Sequence, residues 1–114
     1  MAAKDLTATD KAKQRLLFAI RKGDPEKVQL ALEKSGGRCG PNDAADSANN
    51  RLIHRAARYG HAGVVAKLVE LGADPNADNK FGMVPLHHAA VGGEADVIVT
   101  LIKAGADVSH HVIF

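Results

Sequence analysis

The sequence predicts an all-α solenoid of about three stacked helix–turn–helix repeats, and three observations predict it. The chain repeats itself: His54 and His87, Gly60 and Gly93, Leu68 and Leu101, Gly72 and Gly105, and Asp74 and Asp107 are each 33 positions apart. A fixed period of that size marks supersecondary units that bury their apolar faces against their neighbours. The apolar residues within a unit also keep a helical spacing. Val64, Val65, Leu68 and Val69 form one stripe, which returns as Val97, Ile98, Leu101 and Ile102. Finally, glycines, prolines and acids stand where helices stop and start, as in Gly23-Asp24-Pro25-Glu26 and at Gly60, Pro85 and Gly93.

The first helix is expected to begin near Thr9 or Asp10 and to run to Lys22, with Leu16, Leu17 and Ile20 on one face and Gly23 as its left-handed cap. Asp24 caps the second helix, Pro25 occupies its first turn, and Glu26 sits at its positive end. Val28, Ala31 and Leu32 give this helix its stripe, and Ser35-Gly36-Gly37 ends it. This first repeat, about residues 9–45, matches the second at an offset of 37 rather than 33. The extra residues fall in the polar stretch 36–49, which reads as a long, mobile connection. A divergent first repeat with a basic first helix is expected to act as a cap.

The second repeat, about residues 46–78, should hold a short helix over 51–59 and a second over 62–71. An extended turn follows at Asp74-Pro75-Asn76, because a residue before proline leaves the helical region. The third repeat, about 79–111, repeats the scheme with Pro85 opening its first helix. Residues 112–114 begin a further repeat or form a tail.

Lys and Arg total 15 against 13 Asp and Glu, for a formal net charge of +2. No segment carries a dense basic run, so the sequence does not predict nucleic-acid binding. Cys39 is the only cysteine, which excludes an intrachain disulfide and a Cys-x-x-Cys metal pair. The start of the chain lacks the apolar run of a signal peptide, and Leu16–Ile20 is too short to span a bilayer. The expectation is a soluble intracellular protein, cytoplasmic or nuclear, with no membrane insertion and no cofactor.

Residues that carry a family resemblance cluster in the third repeat: Gly82, Pro85, Leu86, His87, Ala89, Ala90, Gly93, Leu101, Gly105, Ala106 and Asp107. With Leu52-Ile53-His54-Arg55-Ala56-Ala57 in the second, they make the chain resemble the ankyrin-repeat family from about Leu16 to Phe114. Leu52 and Arg51 replace the family's Pro and Thr, Val84 replaces another Thr, and His88 stands where the family usually has an apolar residue. The resemblance implies a structural role for His54 and His87, bonding backbone groups between repeats.

The resemblance also implies a non-catalytic module that binds a protein partner on its concave surface, formed by the turn tips and the exposed side of each first helix. Carried over position by position, the contacts are Arg58, Tyr59, Lys80, Phe81, Met83, Asn50, Arg21 and Val91. Tyr and Arg dominate interface hot spots, and Met adapts to irregular partners. For Phe81 and Met83 the competing role is to cover a neighbouring repeat and to fill the base of the turn.

Catalysis has little support. No Gly-x-Ser-x-Gly or phosphate-loop context occurs, although Arg38 beside Cys39 would favour its thiolate slightly. The histidine pairs His87-His88 and His110-His111 lack zinc-ligand spacing, so no metal site is expected.

The apolar end Val112-Ile113-Phe114 admits three arrangements: more repeats after it, a tail folded over the last repeat, or a second copy covering the face. Further repeats are the first expectation. The second copy gives the alternative function, a self-assembling homo-oligomer that associates through Val99, Ile113 and Phe114.

Overall fold

A computed structural model describes residues 7–108. Within them lie six helices: α1 (Ala8–Lys22), α2 (Pro25–Lys34), α3 (Leu52–Tyr59), α4 (Ala62–Glu70), α5 (Pro85–Gly92) and α6 (Ala95–Lys103). Each odd-numbered helix packs on the even-numbered helix that follows it. Successive pairs then stack, α1 on α3 on α5 in one row and α2 on α4 on α6 in the other.

Local chemistry sets the helix ends. α1 starts a little before the expected point, because Thr7 and Asp10 close a capping box: the Asp10 N–H donates to Thr7 Oγ1 at 3.0 Å, and the Thr7 N–H to Asp10 Oδ2 at 3.3 Å. Asp24 Oδ1 accepts from the N–H groups of Glu26 and Lys27 at the start of α2. Gly23 and Gly60 end α1 and α3 at φ of +78° and +80°, the left-handed conformation that only glycine adopts freely. Both also lie under the next repeat. A Cβ on Gly23 would meet the His61 ring at 2.7 Å, and one on Gly60 the Glu94 carboxylate at 2.6 Å.

The core is one continuous cluster through the stack. Leu16, Ile20 and Val28 lead into Leu52, Ile53, Val64, Val65 and Leu68, and these into Leu86, Val97 and Leu101. Full burial of such side chains contributes about 1.5–3 kcal/mol each. Ala56, Ala57 and Ala89 are fully buried, and their small side chains let the short helices approach.

Side-chain bonds to main-chain groups join the repeats. Asn42 donates to Gly72 O at 2.9 Å and accepts from the Asp74 N–H at 2.8 Å. Asn76 does the same to Gly105 O and the Asp107 N–H, at 3.1 and 2.8 Å. His61 Nε2 donates to Arg21 O at 2.8 Å.

The stretch after α2 differs from the mobile connection expected of it. Ser35 Oγ, itself buried, accepts from the Cys39 N–H, and Ala44 and Arg51 form an antiparallel bridge. With Asn42 fastened to the next turn, the segment is a tethered hairpin. Its many small polar residues act as hydrogen-bonding groups rather than as a flexible spacer.

Candidate functional site

Two turns present the surface between the repeats, and each is organised by one side chain. Asp46 Oδ1 accepts from the N–H groups of Ala48 and Asn50, at 3.0 and 3.2 Å. One period later, Asn79 Oδ1 accepts from those of Phe81 and Met83, at 2.8 and 3.0 Å. The Lys80 N–H donates to Ala48 O, which lays the second turn against the first. The Asn50 hydrogen bonds hold the Asp46 carboxyl below its ordinary range, so it stays ionised.

Asn50, expected as a partner contact, is tied into this framework. Its amide nitrogen donates to Asp46 Oδ2 at 3.0 Å, and its oxygen accepts from Asn79 Nδ2 at 2.8 Å. The residue is a strut between turns, because both ends of the amide are occupied.

His54 is buried and bridges two repeats. Its Nδ1 accepts from the Arg51 N–H at 3.0 Å, so Nε2 carries the proton and donates to Met83 O at 2.9 Å. Burial holds its pKa below the ordinary value. His87 is half-buried and makes no such bond among the described residues. Its ring stands 6.3 Å from that of His88. Met83 is half-buried, its main chain engaged by His54 and Asn79.

The remaining expected contacts are exposed. Arg21, Arg58 and Lys80 face solvent, as do Phe81 at 69%, Tyr59 at 38% and Val91. Arg21 and Lys80 lie by aromatic rings, the Arg21 guanidinium 6.0 Å from the Phe18 centroid and Lys80 Nζ 5.9 Å from that of Phe81.

The structure brings some of these together and leaves others apart. Arg58, Tyr59 and Asn50 line a hollow of about 250 Å³ with Asp46, His54, Arg55 and His88. Tyr59 also borders a second hollow of about 290 Å³, with Arg21, Arg55, Leu17 and Phe18. Tyr59 and Arg55 are therefore a ridge shared by two depressions. Lys80, Phe81 and Val91 line neither hollow.

Three contributors escaped the sequence reading. Arg55 is oriented by Asp46, with Nη2 at 3.3 Å from Oδ2. Phe18 lies beside Arg21, and its signal was an apolar residue one position off the α1 stripe. His88 stands out in the sequence as a departure from the family pattern and as half of a histidine pair. Its Nε2 is shielded from solvent with no hydrogen-bond partner among the described residues. Burial, then the neighbouring His54 and Arg58, push its pKa down to about 4, so it is neutral near pH 7.

Cys39 is buried. Burial and then the Asp43 carboxylate raise its pKa, which overrides the expected pull of Arg38 and leaves a protonated, weakly nucleophilic thiol. No group of three or more His, Cys, Asp or Glu fit to hold a metal ion occurs among the described residues, and no helix among them is long and apolar enough to cross a membrane.

Of the expected self-association residues, Ile113 and Phe114 lie outside the described residues, as do His110 and His111. Val99 is exposed, but so is Ala66 one period earlier, which has repeats on both sides. That position faces solvent in the second and third repeats alike. The end face of the third repeat is formed by Ile98 and Ile102, whose counterparts Val65 and Val69 are buried and half-buried.

A family model for ankyrin repeats matches residues 9–111 in three copies. No curated protein matches the sequence. With that match running through all six helices and both rows of the stack, the chain belongs to the ankyrin-repeat family.

Proposed function

We propose that this protein is a non-catalytic interaction module that holds a partner protein on the surface made by α1, α3, α5 and the two turns. Ankyrin repeats generally serve as protein–protein interaction modules and are typically non-catalytic. The observation that carries the reading to particular residues is the position of Tyr59, on a ridge between two hollows with Arg21, Arg55 and Arg58 around it. A half-exposed aromatic ringed by guanidinium groups has the composition of a hot spot. Among the described residues, Asp46 is the only acid lining either hollow, and it is committed to Arg55 and the turn. The complementary partner segment is therefore acidic, with an apolar group to fill the hollow beside Leu17 and Phe18. Phe81 and Lys80 extend the contact along the turn. Because the turns are fixed by Asp46 and Asn79, these side chains bind with little ordering cost.

The test is comparative affinity capture from cell extract with wild type, Tyr59→Ala, Arg58→Ala and Phe81→Ala. A partner bound by wild type should be lost by at least tenfold with Tyr59→Ala, at unchanged helicity. Retention of every partner by all three variants would remove this surface from the reading.

A second reading, self-assembly through the end face of the third repeat, is favoured by Ile102, which is 47% exposed on α6. Sedimentation across a wide concentration range separates the two. A mass that rises with concentration, and stops rising with Ile102→Lys, supports self-assembly, and a constant mass removes it.

A further inference from the structure

The outer face of the first repeat differs in chemistry from the same face of the second. Leu52 and Val64 lie fully buried on the side of the second repeat that receives α1 and α2. The equivalent positions on the first repeat, 37 residues earlier, are Arg15 and Lys27. Between α1 and α2 this face forms a groove of about 430 Å³. Its floor is apolar and includes Ala12 and Ala19, and its apolar walls are Phe18 and Leu30, which are 55% and 47% exposed. Arg15, Lys22, Lys27 and Lys34 stand around it. None of the four forms an ion pair among the described residues. Among the described residues, Asp24 is the only acid at the groove, and its Oδ1 is already taken by the first N–H groups of α2.

We propose that this groove binds an amphipathic helix of a partner protein, with an apolar stripe flanked by acidic residues. Two facts select a helix. The same backbone surface on the second repeat packs against helices, so its ridges and grooves suit one. The apolar floor is also recessed between two helices, where a narrow rod reaches it and a flat bilayer does not. The charge ring selects the acid: four cations that form no ion pair among the described residues gain carboxylate partners when an acidic helix enters, and a basic or neutral helix leaves them facing apolar surface. The site is independent of the surface around Tyr59. Only Phe18 borders both, so the test avoids it.

The probe is a fluorescein-labelled peptide of about four helical turns, with leucines on one stripe and glutamates beside them. It is titrated into the full chain and followed by anisotropy, and its position is mapped by amide chemical shifts. Two control peptides carry lysine for every glutamate, or the same residues scrambled to abolish the stripe. Binding of the acidic stripe peptide alone, weakened by added salt and with shifts confined to α1 and α2, is the expected result.

The double variant Lys27→Glu/Lys34→Glu should weaken that binding at least tenfold, and Leu30→Gln, at an exposed site, should weaken it without affecting thermal melting. Tyr59→Ala should leave it unchanged. No binding, equal binding of the lysine or scrambled peptide, or shifts centred on α3 overturns the proposal. So does binding of the chain to phosphatidylserine vesicles that Lys27→Glu/Lys34→Glu abolishes while peptide binding is unaffected.

Discussion

His54 and His88, from neighbouring repeats, stand edge to face with ring centroids 5.4 Å apart and planes at 87°. Neither ring accepts a proton without loss. Protonated His54 would point an N–H at the Arg51 N–H that it now accepts from, and protonated His88 would place a charge beside Arg58 and His54 in a site that offers its Nε2 no partner.

Stability should therefore fall in mild acid. Both histidines have folded pKa values below their ordinary 6.5, His88 at about 4. As pH drops from about 6.5 towards 4, the unfolded chain takes up protons that the folded one refuses, and that difference favours unfolding. Asp46 acts in the same direction at lower pH, since its folded pKa is depressed and its contribution is lost once it protonates. Allowing for partial solvent screening, we expect a loss on the order of 2 kcal/mol between pH 7 and pH 4.5. Urea midpoints across that range measure it, and a flat profile would contradict the assigned burial.

His88→Leu should stabilise the protein by about 1 kcal/mol at pH 7, because it removes a shielded polar atom without a partner and keeps the volume filled. The same variant should shrink the acid-induced loss. A destabilised variant would mean that His88 Nε2 has a partner that the described contacts do not include.

Gly60→Ala should be costly for two separate reasons. The residue sits at φ +80°, and a Cβ there would lie 2.6 Å from a Glu94 carboxylate oxygen. We expect about 1–2 kcal/mol from backbone strain alone. Glu94→Ala in the same chain should recover only the contact part, so a thermal-melting cycle separates the two.

Asn76→Ala breaks two bonds at once, to Gly105 O and the Asp107 N–H. At an exposed site, where water replaces part of the loss, about 1–2 kcal/mol is expected. Hydrogen exchange should show the loss near residues 105–107 and leave α1 and α2 protected.

The fold was legible because the repeat is written in residues whose roles are local: a glycine that must turn, a proline that fits a first helical turn, an apolar pair at helical spacing. The inter-repeat bond of His54 followed from family resemblance. Other features were masked by chemistry or by spacing. Asp46 and Asn79 organise equivalent turns, but an acid and an amide in a polar stretch do not stand out as one signal. Asn42 and Asn76 are 34 apart, and the lengthened first connection hides that pair from a search at 33. Exposure alone misdirects as well. Asn50 looked available and is tied into the framework at both ends of its amide, and Val99 looked like an end-face residue and occupies a position that is also open in the second repeat.

Four side chains that join the repeats have one property in common. His54 reaches Met83 O, His61 reaches Arg21 O, and Asn42 and Asn76 grip a carbonyl and an N–H apiece. In each case a side chain holds a peptide group, so the bond does not call on the side chain of the residue that supplies that group. Arg21 and Met83 can be exchanged for other amino acids without undoing the seam they help to close. The surface can therefore be rewritten for a new partner while the assembly beneath it stays intact.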